Sequence, residues 1–365
     1  MRVLVVNAGS SSIKLSLIGD DNATLAEREL AAPSATVDPD QLREALMGRL
    51  GQAEVVGHRI VHGGERFRQA VLIDTEVEAG LRELVSLAPL HQPKSLAALD
   101  AVSGALPGVP AIACFDTAFH ATLPPAARTY ALPRAWRERW GVRRYGFHGL
   151  SHAWVARRAP QLLGRAESTL RIVSCHLGAG ASLCAIAGGR SLDTTMGFTP
   201  LEGLVMATRS GTVDPGLLLW LMEQTRMEEL ELARVLEHES GLQGLAGTAD
   251  MREVIARAGA RDESARLALD VYLHRLRAGI GAMAATLGGI DALVFTGGVG
   301  ERSPEIRSRA ADGLSFLGVE IDPRPNAIAS GDTDLTAGRA RTRSLVIRAR
   351  EDLEVAHQVR TVLAS

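Results

Sequence analysis

Hydrophobic positions fall into short blocks whose period changes along the chain. Residues 3–6 form a continuous apolar run, Val3-Leu4-Val5-Val6, which stops at Asn7-Ala8-Gly9-Ser10-Ser11-Ser12. Over 13–18 the period becomes two, with Ile13, Leu15 and Leu17 on one face and Lys14 and Ser16 on the other. This predicts strand, tight turn, strand. A third strand is expected at 24–30, a helix at 40–50 and a strand at 54–61. Helical spacing of Val77, Leu81, Leu84 and Val85 predicts a helix over 75–87, ended by Ala88-Pro89-Leu90-His91-Gln92-Pro93. A helix at 95–106 and a strand at 109–115 follow. Residues 120–150, rich in Pro, Trp and Tyr, look like a connection, after which Ser151 caps a helix to about 159. The opening shape then returns at 172–186, IVSCHLGAGASLCAI. Asn7 laid on His176 puts Gly9 on Gly178, Leu15 on Cys184, Leu17 on Ile186 and Gly19 on Gly188, as in two similar halves. Helices are expected at 215–223, 227–238, 250–258 and 262–287, strands at 290–295 and 344–349, a loop at 322–335 and a closing helix at 351–363. Strand and helix alternate, so the class is α/β.

Composition narrows the function. The 365 residues are 46% hydrophobic and 22% charged with a net charge of −2, which suits a globular protein and argues against nucleic-acid binding. No apolar stretch reaches membrane-spanning length and no signal-like run opens the chain. Three cysteines, Cys114, Cys175 and Cys184, leave one over in any disulfide scheme. Reduced thiols in a cytoplasmic protein are the simplest expectation. Among 40 Lys+Arg, lysine occurs only at 14 and 94, and asparagine only at 7, 22 and 326. That bias draws attention to Asn7 and Lys14.

Three glycine-rich turns each follow a strand: 7–12, 176–182 and 296–301. The first holds Asn7, Ser10, Ser12 and Lys14; the second His176, Gly178 and Gly180; the third Gly297, Gly298 and Gly300. None matches a P-loop, and Gly178-x-Gly180 lacks the third glycine of a dinucleotide fold. Backbone N–H groups in such turns can bind anions, and two hairpins with a third turn can hold a nucleotide; an ordinary polar hairpin is the plainer alternative. Arg59, Arg209, Asp116 and His148 sit at strand and loop junctions. An arginine in so Arg-rich a chain is ordinarily a solvated side chain. Arg59, however, lies in an apolar strand, and a buried arginine needs an anionic partner. His58 and His62 share i,i+4 spacing, but a zinc HEXXH site needs a helix and an intervening glutamate, both missing here.

In order, VLVVNAGSSSIKLSL, VGHRIVHGGE, LAPLHQP, CFDTAFHATLP, YGFHGLSH, CHLGAGAS, DTTMGFTPLEGLVMATRSGTVDPG, SGLQGLAGTADMR and LVFTGGVGERSPEIR resemble the acetate kinase family over nearly the whole chain. The resemblance implies a duplicated two-domain actin-like ATPase fold of the ribonuclease H type, with a nucleotide cleft between domains. The N-terminal domain would span 1–119, completed by 353–365; 120–352 would bind nucleotide and dimerise. It further implies a homodimer and the reaction ATP + acetate ⇌ ADP + acetyl phosphate, with Mg²⁺ or Mn²⁺. By motif, Ser10, Ser12 and Lys14 face the phosphates, as do His176, Gly178 and Gly180. Gly297, Gly298 and Gly300 lie by the adenosine, and Asn7 and Glu351 by the metal. Arg59 and Arg209 clamp carboxylate and phosphoryl group, and His148 donates to the phosphoryl oxygens. Asp116 orients Arg or metal shell, and Val61, Leu90 and Pro200 take the methyl group. An acetate carboxylate is already ionised at neutral pH, with a pKa of about 4, so no general base is required. Ala179 stands where the family commonly has Asn. Arg348-Ala349-Arg350 replaces its usual Pro-Thr-Asn, which sets against the metal role of Glu351 the alternative that Arg350 contacts the nucleotide. Propionate or butyrate kinase is the near alternative. A sugar kinase, which would need a base, and an actin-like ATPase are the distant ones.

Overall fold

The alternation over 3–18 forms a hairpin of β1 (Val3–Ala8) and β2 (Ser12–Ile18), whose antiparallel register sets Asn7 opposite Lys14. The computed structural model describes residues 1–9, 12–31, 38–89 and 91–364; Ser10, Ser11 and Leu90 lie outside them. Two compact units result: residues 1–121, 147–154 and 350–365 form the first, and 122–146 with 155–349 the second. Residues 120–121, 147–154 and 350–352, expected in the second domain, fall in the first unit.

In the first unit, β3 (Thr24–Ala31), β4 (Val55–Ile60), β5 (Val71–Leu72) and β6 (Ala111–Phe115) complete a sheet of order β3-β2-β1-β4-β6-β5. Period-two alternation gives each face its own core. Leu4, Val6, Leu15 and Leu17 pack on one face with Ala98 and Val102 of the helix Gln92–Ala105. Val3, Val5, Val55 and Ile112 pack on the other with Val355 and Val359 of the C-terminal helix Glu351–Ala364. Gly57 allows that approach, because a Cβ there would stand 2.6 Å from Val355 Cγ1.

The second unit repeats the topology. Its strands are β7 (Arg171–Leu177), β8 (Ala181–Ala187), β9 (Arg190–Thr194), β10 (Ala292–Thr296), β11 (Thr333–Asp334) and β12 (Arg343–Val346), in the order β11-β12-β10-β7-β8-β9. Read from the opposite end, this is the first sheet strand for strand. β7 pairs antiparallel to β8 and parallel to β10, as β1 does to β2 and β4. The duplicated actin-like α/β fold is therefore present.

Several expected details change. β7 and β8 pair His176 with Ser182, whereas β1 and β2 pair Asn7 with Lys14. The second turn is thus one residue shorter. Leu15 matches Leu183 rather than Cys184, Leu17 matches Ala185 rather than Ile186, and Gly19 matches Ala187 rather than Gly188. Such a one-residue slip exchanges the two faces of a strand. The helix expected from 95 begins at Gln92, since Pro93 is tolerated in a first helical turn. The helix Gly149–Leu163 starts before Ser151 and runs through Pro160. The helices expected over 40–50 and 75–87 end at Leu46 and Glu83, and 3-10 turns Arg49–Gln52 and Leu84–Leu87 follow. Residues 322–335 hold a short helix, Pro323–Ile328, and β11. The connection at 120–150 contains helices Pro125–Arg128 and Arg134–Trp140. The strands β5 and β9 were not expected.

Candidate active site

The first unit gathers polar groups at the ends of β1, β4 and β6. Arg59, one residue from the end of β4, is 18% exposed, and Asp116, just past β6, is 2% exposed. Arg59 Nη2 donates to Asp116 Oδ2 at 2.6 Å, and its Nε lies 3.1 Å from both carboxylate oxygens. Arg59 Nη1 donates to Asn7 Oδ1 at 2.9 Å, and Asn7 Nδ2 donates to Glu351 Oε2 at 3.1 Å. That carboxylate is 3.8 Å from Arg59 Nε. Burial disfavours the guanidinium charge, but Asp116 and Glu351 outweigh it and hold Arg59 more firmly protonated than usual. The paired parallel N–H groups of an arginine suit a carboxylate or phosphoryl oxygen.

His148 lies in the first unit, one residue before a backbone bond to Asp116. It takes φ 56°, a conformation few side-chain-bearing residues adopt. Gly149 N–H donates to Asp116 O at 2.8 Å, and His152 N–H donates to His148 O at 3.0 Å. The buried His120 contacts Phe147 O through Nε2 at 3.0 Å, and His62 meets the Phe147 ring edge-on at 5.5 Å. His62 Nδ1 accepts from Gly64 N–H at 2.9 Å, which places the proton of the neutral ring on Nε2. Burial lowers the pKa of both His58 and His62 to about 4. Val61 is buried at the end of β4.

Ser12 and Lys14 point toward β3. Ser12 Oγ donates to Glu29 Oε1, and Lys14 Nζ pairs with Glu27 Oε1, each at 2.5 Å. Both partners of the lysine pair are about half exposed, and such pairs are held weakly. Arg350 pairs with Asp352 at 2.8 Å and reaches Thr24 Oγ1 at 3.2 Å.

The second unit carries a pocket of ≈ 650 Å³ walled by Gly178 and Ala179 on the hairpin turn and by Gly298 and Val299 after β10. Met251, Ile255 and Tyr272 add apolar surface, and Asp250 with Arg252 forms an ion pair beside them at 2.5 Å. His176 sits opposite Thr296 in the β7–β10 ladder, and Gly180 O accepts from Gly178 N–H at 2.9 Å. Gly297 takes φ 78° close against Leu177. Gly300 is buried in the short helix Gly297–Arg302. The volume and apolar lining suit a nucleoside.

Also in the second unit, Arg209 Nε donates to Glu237 Oε1 at 2.6 Å, and its Nη1 lies 3.5 Å from the carbonyl oxygen of buried Pro200. Gly241, with φ 60°, lies against the backbone of Met206 and Arg209, leaving no space for a side chain.

Sequence reasoning missed Glu237, Glu27, Glu29 and Glu301. Glu237 is one of several glutamates between 228 and 239, and nothing in that run singles it out. Glu301 stands five residues after the N-cap Thr296, beyond the third helical position where a capping box places its carboxylate, so its bond to Gly297 N–H has no standard sequence signal.

For a divalent cation, Asn7 and Glu351 supply hard oxygen donors, and Glu351 Oε1 receives no hydrogen bond among the described residues. Those residues contain no group of three or more His, Cys, Asp or Glu placed to hold a metal. Mg²⁺ commonly takes one or two carboxylates together with substrate phosphates, so this sparse set fits an ion that arrives with the nucleotide.

Known proteins are similar to the chain over nearly its whole length. Acetate kinase of Gloeobacter violaceus is 44% identical, covering 98% of each chain. The crystal structure of Porphyromonas gingivalis acetate kinase superposes with a TM-score of 0.90 at 34% identity over 99% of each chain. A propionate kinase from Francisella tularensis gives 0.90 at 32% over 98% of each. The model of the acetokinase family matches residues 20–357, and the chain belongs to that family.

Proposed function

We propose that the chain transfers the γ-phosphoryl group of ATP to acetate, reversibly, giving acetyl phosphate and ADP. A carboxylate oxygen of acetate attacks γ-phosphorus as the bond from phosphorus to the β,γ-bridging oxygen breaks, and that electron pair leaves on ADP. No proton moves, so no base is needed. The Arg59–Asp116 pair is the observation that carries this reading. Asp116 takes three contacts from one guanidinium, which suits it to orienting Arg59 rather than to accepting a substrate proton. A sugar kinase would need its carboxylate for that proton.

In this reading Arg59 binds the substrate carboxylate and Val61 bounds its methyl group. Leu90 has the same role by motif. Arg209, braced by Glu237, neutralises the phosphoryl oxygens, and Pro200 adds apolar surface. His148 donates to the oxygens in flight. Ser10, Ser12 and Lys14 serve the phosphates, the last two by exchanging exposed β3 partners for substrate. The second unit binds adenosine in the pocket walled by Gly298, with buried Gly300 behind that wall, and Gly178 serves the phosphates. Mg²⁺, when bound, supplies charge neutralisation at the β- and γ-phosphates; Asn7 and Glu351 would hold it. These roles amount mainly to positioning and charge stabilisation.

Propionate kinase is a second reading, favoured by the Francisella likeness. One methylene changes discrimination by only about 1–3 kcal/mol, so some propionate turnover is expected. We further propose a cytoplasmic homodimer. Its support is the helix Pro215–Thr225, on which Leu217, Leu219 and Trp220 are exposed, and three buried free cysteines. No helix among the described residues is long and apolar enough to cross a membrane. Hydroxylamine trapping of the acyl phosphate with ATP, Mg²⁺ and acetate, propionate or butyrate tests the assignment. Highest kcat/KM is expected with acetate; a preference for butyrate would overturn it.

A further inference from the structure

The glycine-rich segment after β10 is clamped at both ends. At its amide end, Glu301 Oε1 accepts from Gly297 N–H at 3.0 Å and from Ala349 N–H at 2.8 Å. At its carbonyl end, Arg307 Nη1 donates to Gly300 O at 2.8 Å and to Glu301 O at 2.7 Å. Arg307 is 1% exposed, and its other donors go to Asn326, with Nε on Oδ1 at 2.7 Å and Nη2 on the carbonyl at 2.8 Å. Asn326 is itself tied to Pro304 O and Ser308 Oγ.

Two consequences follow from the chemistry. A carboxylate already fills the Gly297 N–H direction, so this segment does not present that amide to a phosphate. It serves instead as a rigid wall, carrying Gly298 and Val299 into the pocket. The same carboxylate oxygen also fixes Ala349, two residues before Glu351 in the chain. One side chain therefore holds both the pocket wall and the segment leading to the residue assigned to the metal.

We infer that Glu301 is a positioning residue that couples nucleotide affinity to metal dependence. This rests on the nucleotide reading of the pocket given above. Its geometry separates reach from charge. Glu301→Gln keeps an acceptor oxygen at the same reach, whereas Glu301→Asp keeps the charge but withdraws it by one methylene. Reach matters here, because one oxygen must serve two N–H groups.

The test is ADP binding by calorimetry, with and without Mg²⁺, on the full chain, together with the KM for acetate. Glu301→Asp is expected to weaken ADP binding at least tenfold and to raise the Mg²⁺ concentration for half-maximal enhancement at least fivefold. Its KM for acetate is expected to stay within twofold of the parent value. Glu301→Gln is expected to stay within threefold of the parent in every constant. A purely structural role would lower melting temperature and active fraction while leaving both constants in place, and that result overturns the inference. So does an Asp variant that binds ADP like the parent. If the parent chain itself binds no ADP, the nucleotide reading fails first, which is a distinguishable outcome.

Discussion

Replacing Asp116 by Asn removes one negative charge from a guanidinium that is 18% exposed and touches that carboxylate at 2.6–3.1 Å. Breaking a buried ion pair by removing one partner costs about 3–5 kcal/mol, because the remaining charge is left uncompensated. Asn retains one acceptor oxygen, and Glu351 remains 3.8 Å from Arg59 Nε. Taking about 2–4 kcal/mol of this as lost ordering of Arg59 around substrate and transition state gives roughly a 30- to 1000-fold lower kcat/KM for acetate. The KM for ATP should shift less than about threefold, since the pocket proposed for the nucleoside lies on the second unit. The deciding readout is the pH profile of acyl phosphate formation. A general base must be deprotonated to act, so it would give kcat/KM an acidic limb that the Asn variant abolishes. An orienting carboxylate predicts a lower curve of unchanged shape. Loss of an ionisation together with the activity would refute the orienting role.

Other outcomes follow from neighbouring groups. A Cβ on Gly149 would overlap the Asp116 carbonyl oxygen, which accepts the Gly149 N–H. Gly149→Ala should cut kcat/KM for acetate at least tenfold through displacement of Asp116; full activity in a steady-state assay would contradict the packing argument. His58 is buried with its pKa lowered from 6.5 to about 4. The unfolded chain therefore binds more protons between those values, and stability is present above pH 6.5 and lost as pH falls toward 4. The shift corresponds to about 3 kcal/mol. Urea titrations at pH 7 and 4.5 should show a smaller pH loss for His58→Leu than for the parent, and equal losses would refute the assignment.

The hydrophobic pattern made the two hairpins legible because period-two alternation records which face of a strand is buried. It did not record the length of the second turn, since small residues fill both turns and a ladder register is a property of pairing. The start of the helix at Gln92 was hidden by Pro93, which breaks an interior but not a first turn. Of the candidate site, residue type singled out Arg59, Asp116, Asn7 and Glu351, which the structure brings into contact. Their partners were less legible. The burial of Arg59 called for an anion, but only tertiary structure shows which carboxylate answers. Tertiary structure likewise supplies Glu237 for Arg209 and Glu27 for Lys14. Ser10 and Leu90 lie outside the described residues.

Phosphorus NMR of the protein with ATP, Mg²⁺ and acetate tests the central claim most directly. Acetyl phosphate and ADP should appear in equal amounts, only when acetate is present, and added acetyl phosphate with ADP should return ATP. Slow release of inorganic phosphate at a rate indifferent to acetate would contradict the account and leave an ATPase with another output.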